Sequence, residues 1–371
     1  MDIRKLAIES QISQINDLKE TYLKVLEQES KTPNLKFGLG ELPLSEQKSN
    51  TYEYELLNNL INVKIPRQKN INFPKGIFYK PEKIINLSNN LKYKCTKNLR
   101  NSDFKININK NAYTKIFDKF KKKIKSGETY QIKICTKYKT KSKIDPLDFF
   151  TRLSKTNLAP EAFMIKDKNY SIISCSPENL INKKGSEIST KPIAGTVKKT
   201  KSLNKIKALN YFKKNIKETK EHNMIVDMER NDLSRVCKVG SVKLSKQKIV
   251  EEYKDLFHYV SLIKGKLKKN IKNIDIIKAM MPGGSVIGCP KINTLNLLNK
   301  QEKENRNIYT GSFGYIKFNG DMRFNIIIRS ILNFKNFSEI SVASGVVVDS
   351  NSSHEFNENF IKAKALIDLF K

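Results

Sequence analysis

Hydrophobic and polar residues along this chain follow two different periods, and the first third carries the weaker signal. In residues 1–35 the apolar positions recur near helical spacing among polar residues, which predicts a helix that the segment 31–34 ends. Residues 36–105 are rich in Lys and Asn, with one strand-like stretch at 76–87. No order of elements can be assigned to this region from its pattern.

The pattern sharpens from about residue 110 onward. An amphipathic stretch ending at Gly127 predicts a helix whose lysine-rich last turn suits the negative end of the helix dipole. An alternating strand is expected at 129–138, and a hairpin around Asn319–Gly320 is expected to lead into a strand at 322–334. Strands and tight turns are expected at 161–196, further strands at 241–253 and 258–267, and helices at 146–156, 203–233, 274–284, 289–302 and 355–370. Hairpins with helices grouped between them indicate an α+β fold rather than a βαβ repeat.

The excess of basic residues changes this picture less than its size suggests. The formal net charge is +33, but the lysines are dispersed rather than focused on one motif with interleaved aromatic residues, and tryptophan is absent. We interpret the excess as the drift of an AT-rich coding sequence. A basic nucleic-acid-binding protein built on a decayed enzyme is the remote alternative. A positive field would also attract an anionic substrate.

Composition and cysteine spacing argue against several other classes of protein. The sequence contains no apolar run of about 18 residues, so no transmembrane helix is indicated. The first residues also lack the apolar stretch of a secretory signal. A cytoplasmic location is therefore expected. The five cysteines are widely spaced and form no CxxC pair, which indicates neither a zinc site nor a disulfide framework.

Carboxylates and anion-binding groups dominate the candidate chemistry. Arg329 lies in an apolar run, where an unpaired guanidinium would be costly, so it is expected to bind a carboxylate. The glycine-rich turn 282–285 leads toward a helix start, whose free backbone amides suit an anion. Glu358 and Lys362 are four residues apart on the last helix and share a face. With only three histidines, among them His258 between aromatic residues, these groups suggest Mg²⁺ and an anionic small molecule.

Nine sequence blocks in a fixed order carry a resemblance to a known family. They are GETYQI, SPENL, KPIAGT, EHNMIVDMERNDLSRVCKVGSV, FHYVS, PGGSVIGCPK, YTGSFGYI, DMRFNIIIRS and ASGVVVDS…ENFIKAKAL. Through them the chain resembles the chorismate-utilising enzymes, which include anthranilate synthase component I, aminodeoxychorismate synthase component I, isochorismate synthase and salicylate synthase. The resemblance implies an α+β fold of two face-to-face antiparallel sheets with outer helices. It also implies a chorismate-binding catalytic core at 110–371, after a divergent and shortened N-terminal region at 1–109.

The resemblance implies how a metal and the ring carboxylate of chorismate are held. Glu221 and Glu358 match the two carboxylates that bind Mg²⁺, the expected cofactor, which in turn meets the ring carboxylate. Backbone amides near Ser344 and Gly345, together with Lys362, match the surroundings of that carboxylate.

Other positions match groups around the rest of the substrate. Tyr315 and Arg329 match the residues that grip the enolpyruvyl carboxylate. His258 matches a histidine near the departing C4 hydroxyl, where it is expected to act as a general acid or an orienting group. Thr196, in PIAGT, matches a residue that lines the pocket.

Two positions bear on the nucleophile. Gln131 occupies the place where the water-using members resemble one another in having a Lys base, and a Gln amide cannot deprotonate water. Ammonia is therefore the expected nucleophile, with an isochorismate-type enzyme that uses water as an alternative. Ala194 takes the place of a Lys that forms a covalent intermediate in some aminodeoxychorismate synthases, so direct attack by ammonia on C2 is the simpler mechanism.

The product is less sharply indicated. PIAGT resembles anthranilate synthase, whereas PGGSVIGCPK and Phe324–Asn325 resemble aminodeoxychorismate synthase. The resemblance favours amination of chorismate to 4-amino-4-deoxychorismate, for p-aminobenzoate and folate. The alternative is anthranilate synthase, which makes anthranilate and pyruvate for tryptophan synthesis. No glutaminase signature of the nucleophilic-cysteine kind is present, so the expected partner is a separate glutamine amidotransferase subunit that supplies ammonia, with no nucleic-acid or membrane partner.

Overall fold

The computed structural model describes residues 103–371, apart from residues 143, 157–158, 201, 253–255, 318 and 335–336. The helix expected at 1–35, the strand-like stretch at 76–87 and nearly all of the region expected at 1–109 lie outside the described residues. The described part coincides almost entirely with the core expected at 110–371.

Strands and helices alternate irregularly along the described part of the chain. The strands are β1 Lys105–Ile106, β2 Gln131–Lys141, β3 Glu161–Lys166, β4 Tyr170–Ser176, β5 Asn179–Lys184, β6 Glu187–Lys191, β7 Ile193–Lys198, β8 Lys243–Glu252, β9 Leu256–Lys266, β10 Gly288–Cys289, β11 Gly314–Ile316, β12 Met322–Asn325, β13 Ser330–Phe334 and β14 Phe337–Val346. The helices are α1 Lys110–Lys125, α2 Pro146–Thr156, α3 Lys205–Lys214, α4 Ile216–Val236, α5 Asn273–Met280, α6 Gly284–Ile287, α7 Lys291–Gln301 and α8 Ser352–Ile367, with a 3₁₀ turn at Asp368–Phe370. The elements predicted beyond residue 110 are present near their expected positions, although the single strand predicted at 322–334 is wrong.

The strands assemble into two antiparallel sheets. Within the described residues the first sheet has the order β1-β2-β14-β13-β4-β3, and β10 also pairs with β2. The second has the order β11-β12-β5-β6-β9-β7, and β8 also pairs with β9. The predicted α+β fold with two antiparallel sheets is confirmed.

The chain passes from one sheet to the other at the segment predicted as a continuous strand. Strand β12 ends at Asn325 in the second sheet, and β13 begins at Ser330 in the first. Arg329, just before β13, adopts the left-handed conformation with φ 52°, which interrupts any strand. The apolar residues between the two strands stay buried because Ile326 packs in one hydrophobic cluster and Ile327 in another. Hydrophobic periodicity indicates which residues are buried but not in which sheet they lie, and this explains the wrong prediction.

Helix α1 shows how the sequence places a helix on the core. The Asn109 side chain accepts a hydrogen bond from Ala112 N at 2.9 Å, a cap of the kind that stabilises a helix by about 1 kcal/mol. The buried residues recur at helical spacing and are Tyr113, Phe117, Phe120 and Ile124. They join a central hydrophobic cluster that also draws residues from both sheets and from helices α4 to α7. A second cluster packs α2, α8 and the 3₁₀ turn on the first sheet.

No helix in the described ranges combines the length and the hydrophobicity that crossing a lipid bilayer requires.

Candidate active site

Helix α4 brings Glu221 against the end of β2. Asn215 caps this helix, since its side-chain oxygen accepts a hydrogen bond from Glu218 N at 3.2 Å. On the next turn, Glu221 Oε1 accepts hydrogen bonds from Gln131 Nε2 and from Lys133 Nζ, each at 2.7 Å. Gln131 and Lys133 converge on one oxygen because residues two apart on a strand lie on the same face. The structure therefore joins the predicted residues Glu221 and Gln131, and it adds Lys133.

The absence of a side chain at Gly345 gives this cluster its space. Gly345 lies opposite Lys133 in the ladder between β2 and β14. A Cβ at this position would stand 2.7 Å from Lys133 Nζ, 2.8 Å from Gln131 Nε2 and 3.2 Å from Glu221 Oε1. Gly345 therefore lies against the Glu221 cluster, where an added Cβ would force the ends of these side chains to shift.

Charge pairing sets the protonation states of this cluster. Burial alone would raise the pKa of Glu221, but the Lys133 ammonium and the hydrogen bond from Gln131 outweigh it and lower the pKa. Burial alone would lower the pKa of Lys133, but Glu221 outweighs it and raises the pKa. Glu358 and Glu355 raise the pKa of Lys133 further. Both partners are therefore charged at neutral pH.

Helix α8 supplies a second group of charged side chains. Glu358 and Lys362 form an ion pair at 2.7 Å, and Lys362 Nζ donates to Ala343 O at 2.9 Å. One ligand atom from each of His354, Glu355 and Glu358 lies within 4.8 Å of the others. Two of these three groups are carboxylates, whose oxygens Mg²⁺ prefers, whereas Glu221, the other predicted ligand, is not one of the three.

His258 lies on β9, where its backbone pairs with that of Thr196 on β7. The side chain is buried, and burial lowers its pKa to about 4, with a further contribution from the positive charge of Arg329. The imidazole is therefore neutral at pH 7, which favours an orienting group over a general acid. Arg329 acts on His258 electrostatically, so these two predicted residues share one region of the protein.

Two crossings between the sheets lie side by side and carry Arg329 and Glu178. The chain passes from β4 to β5 through residues 177–178, and from β12 to β13 through residues 326–329. Ile326 N donates to Glu178 O at 3.1 Å, and Cys175 N donates to Arg329 O at 3.2 Å. Within the described residues the Arg329 guanidinium forms no hydrogen bond or ion pair, although burial lowers its pKa. A cation held in this way is suited to an anionic ligand.

Glu178 is a candidate that the sequence reasoning did not single out. It is buried, and burial raises its pKa to about 7 despite the nearby Ser285 hydroxyl and the positive charges of Lys133 and Arg329. A carboxyl group with this pKa exchanges a proton near neutral pH. The one available signal was an acidic residue inside the otherwise apolar and neutral stretch around SPENL.

Two further predicted residues lie in surroundings of their own. Tyr315 is on β11, an edge strand, where its Cα pairs with Arg323 and the Lys317 ammonium stands 6.0 Å from its ring centre. The Ser344 hydroxyl hydrogen-bonds Tyr113 Oη at 2.8 Å, on the face of β14 opposite to that of Gly345. Only the backbone of Ser344 can therefore face the Glu221 cluster.

The acidic motif after Glu221 is structural in most of its members. His222 Nε2 lies 2.6 Å from Ser261 Oγ, and burial lowers the pKa of this histidine to about 4. Asp232 pairs with the buried Lys291 at 2.5 Å. Glu229 lies 3.3 Å from Thr190 Oγ1, and burial raises its pKa to about 8. These side chains hold α4 in place behind Glu221.

The glycine-rich turn at 282–285 is a packing feature. A Cβ at Gly283 would stand 2.5 Å from Ile326 Cδ1, and one at Gly284 would collide with the Met228 side chain. Helix α6 is only four residues long and all four are buried. Close packing therefore accounts for these glycines without the anion that the sequence suggested.

Comparison with known proteins shows which family the chain resembles. Residues 30–368 match the family model for chorismate binding enzymes. The chain is 36% identical to aminodeoxychorismate synthase component 1 of Bacillus subtilis over 256 residues, which cover 69% of this chain and 54% of that protein. It is also 36% identical to anthranilate synthase component 1 of Arthrobacter globiformis over 263 residues, which cover 69% of this chain and 50% of that protein.

A solved structure shows the same architecture. The crystal structure of anthranilate synthase component I from Streptococcus pneumoniae superposes with a TM-score of 0.67 at 31% identity, over 72% of this chain and 60% of that one. The chain spans about half the length of the two curated relatives named above. The resemblance read from the sequence blocks is confirmed, and the chain belongs to the chorismate binding enzyme family.

Proposed function

We propose that this chain aminates chorismate with ammonia and produces 4-amino-4-deoxychorismate. The observation that carries the proposal is the pair of nitrogen groups on Glu221. One is the amide of Gln131, which has no basic lone pair, and the other is the ammonium of Lys133, whose raised pKa keeps it protonated. Neither can deprotonate water at neutral pH, whereas ammonia carries its own lone pair. This supports ammonia as the nucleophile over the water-using alternative.

The charged groups of the site suit a dianionic substrate. We assign the enolpyruvyl carboxylate to Arg329, which forms no ion pair within the described residues, and we propose Tyr315 as its second binding group. We assign the ring carboxylate to the end of β14, near the backbone of Ser344 and Gly345 and the Lys362 ammonium. The net charge of +33 would favour the approach of such a substrate.

A divalent cation completes this proposal. Glu221 and Glu358 would hold Mg²⁺, and Glu355 on the same turn of α8 offers a third carboxylate. When bound, Mg²⁺ would neutralise the ring carboxylate of the substrate. The chemistry of the donors fits, because all three are carboxylates, and all three act electrostatically on the Lys133 ammonium.

Glu178 is the proton donor in this proposal. For 4-amino-4-deoxychorismate the nitrogen must end on C4, so ammonia forms its bond to C4 as the bond from C4 to the hydroxyl breaks. The new ammonium group loses one proton to solvent, and a proton delivered to the hydroxyl oxygen releases it as water. Glu178, with a pKa of about 7, can supply this proton, whereas neutral His258 can orient the departing hydroxyl. We also assign Thr196, whose backbone pairs with that of His258, to the lining of this part of the site.

Anthranilate is the second candidate product. It is favoured by Ala194, which offers no amine for a covalent intermediate, because direct attack by ammonia on C2 leaves the nitrogen next to the ring carboxylate, as in anthranilate. The anthranilate synthase relatives favour it as well. In both cases the proposed partner is a separate glutamine amidotransferase subunit that delivers ammonia.

Product analysis by mass spectrometry tests the proposal. The purified chain would be incubated with chorismate, Mg²⁺ and ammonium, with parallel reactions that contain EDTA or lack ammonium. Aminodeoxychorismate is the expected product, and anthranilate with pyruvate would select the second candidate. Turnover without any ammonia source would overturn amination. Equal turnover in EDTA would overturn the proposed need for a metal ion. No gain in turnover from glutamine plus the amidotransferase subunit would overturn the proposed partner.

A further inference from the structure

Lys133 has no task in the proposed reaction, yet it forms a largely buried ion pair with the expected metal ligand Glu221. The two side chains are 12% and 19% exposed, and Lys133 Nζ lies 2.7 Å from Glu221 Oε1. Burying two charges is expensive, and removing one partner leaves the other uncompensated. The pair therefore holds the Glu221 carboxylate in place for as long as nothing else neutralises it.

The position of Lys133 is also where negative charge is concentrated. Glu221 contacts the Lys133 ammonium, and Glu358 and Glu355 on α8 act on it electrostatically, so three carboxylates favour positive charge at this position. Gly345 leaves the space that the ammonium fills, and Gln131 donates to the same oxygen of Glu221. This is the place where the charges of the protein would draw a divalent cation.

We propose that Lys133 is a built-in counter-cation of Glu221, which a divalent metal ion must displace in order to bind. The inference rests on the proposed function in one respect, namely that Glu221 is a metal ligand. A cation at a bonding distance of about 2.1 Å from either oxygen of Glu221 would stand within a few ångströms of the ammonium. Two positive charges at that separation repel strongly in a largely buried site. The metal and Lys133 therefore compete for one carboxylate, which weakens metal binding.

A direct metal-binding measurement tests this competition. Mn²⁺ would be titrated into wild-type protein and a Lys133→Met variant without chorismate, and free Mn²⁺ would be counted by electron paramagnetic resonance. We expect the variant to bind Mn²⁺ about tenfold more tightly, within the usual range of coupling between two competing ligands. Lys139→Met is the matched control, because Lys139 lies on the same strand and pairs with Glu304 at 2.5 Å. It removes the same charge and should leave the Mn²⁺ affinity within about twofold of wild type.

The outcomes separate this inference from the proposed function. Equal affinity of wild type and Lys133→Met, or weaker binding by the variant, would overturn the displacement of Lys133 while leaving the metal site intact. Binding of Mn²⁺ by neither protein would overturn the metal site and the inference together. If the variant does not fold, as judged by circular dichroism, acylation of lysines in the wild type replaces it. Saturating Mg²⁺ should then raise the labelling of Lys133 relative to Lys139, and unchanged labelling would overturn the displacement.

Discussion

Gly345 stands directly opposite Lys133 in the ladder between β2 and β14, and its missing side chain is what lets the Lys133 ammonium reach Glu221. The relationship joins a backbone requirement to a charged cluster. A residue with any side chain at this position must move the ammonium, the Gln131 amide or the carboxylate. The geometry of the candidate metal site therefore depends on a residue that carries no chemistry itself.

Substitution of Gly345 by Ala should reduce activity strongly while the protein still folds. The added Cβ would lie 2.7 Å from Lys133 Nζ, and a shift of about 1 Å in a reactive group can cost a hundredfold in rate. We expect kcat/KM for chorismate to fall about a hundredfold. Ser338→Ala, at the other end of β14, is the control and should keep wild-type kinetics. Full activity of Gly345→Ala would mean that the Glu221 cluster is not at the reacting centre.

Glu178 should control the alkaline limb of the pH–rate profile. Its pKa is raised to about 7, so the protonated form needed for an acid is lost as the pH rises through that value. We expect kcat to decline above about pH 7 in the wild type, and Glu178→Gln to lower kcat roughly a hundredfold and to remove this decline. Initial rates between pH 5.5 and 9 would be measured for both proteins, with those limits chosen to span about two pH steps around the expected midpoint. A decline that persists unchanged in Glu178→Gln would assign it to another group.

The sequence predicted the groups that are marked by their own surroundings and missed those that only the tertiary structure marks. Glu221 and Gln131 stand in distinctive blocks, whereas Lys133 is one lysine among many at a polar position of an alternating strand. Lys133 belongs to the site only because Glu221 on α4, which is remote in sequence, contacts its ammonium. Glu178 follows a proline in what could have been an ordinary turn, and its raised pKa results from burial between two sheets.

The dependence on tertiary structure also explains which secondary-structure elements were predicted correctly. Helices with an apolar stripe and a cap, such as α1, could be predicted because packing and local preference agree. The run around Arg329 was misread as one strand because it is apolar throughout, while the change of sheet is made by a single left-handed residue. Local pattern cannot specify a crossing that is stabilised by contacts with Cys175 and Glu178.

His222 should make the protein less stable in acid. Its pKa is depressed to about 4 in the folded state from an ordinary value near 6.5, so the unfolded state takes up the proton first as the pH falls. The stability associated with the neutral ring is present above about pH 6.5 and is lost as the pH falls toward 4, by up to about 3 kcal/mol.

Urea unfolding of the wild type and of His222→Gln at several pH values isolates this contribution. Comparing the two proteins is necessary because Glu178, with a raised pKa, changes the free energy of unfolding in the opposite direction over a similar pH range. The free energy of unfolding of His222→Gln should fall less than that of the wild type between pH 6.5 and 4. Parallel curves for the two proteins would contradict the burial of a neutral His222.

Arg329 should lower the stability of the folded protein while it strengthens the binding of chorismate. It holds φ 52° with a side chain that disfavours this region, and it keeps a guanidinium at a site that lowers its pKa by burial. Arg329→Gly removes both penalties, so we expect the free energy of unfolding to rise by about 1 kcal/mol. The variant also loses the group assigned to the enolpyruvyl carboxylate, so KM for chorismate should rise about a hundredfold.

Arg329→Lys keeps the charge and the strain but not the planar fork, and should raise KM without a gain in stability. If Arg329→Gly bound chorismate normally, the guanidinium would not be a substrate ligand. If the variant were less stable than the wild type, the side chain would have a structural partner in the folded protein.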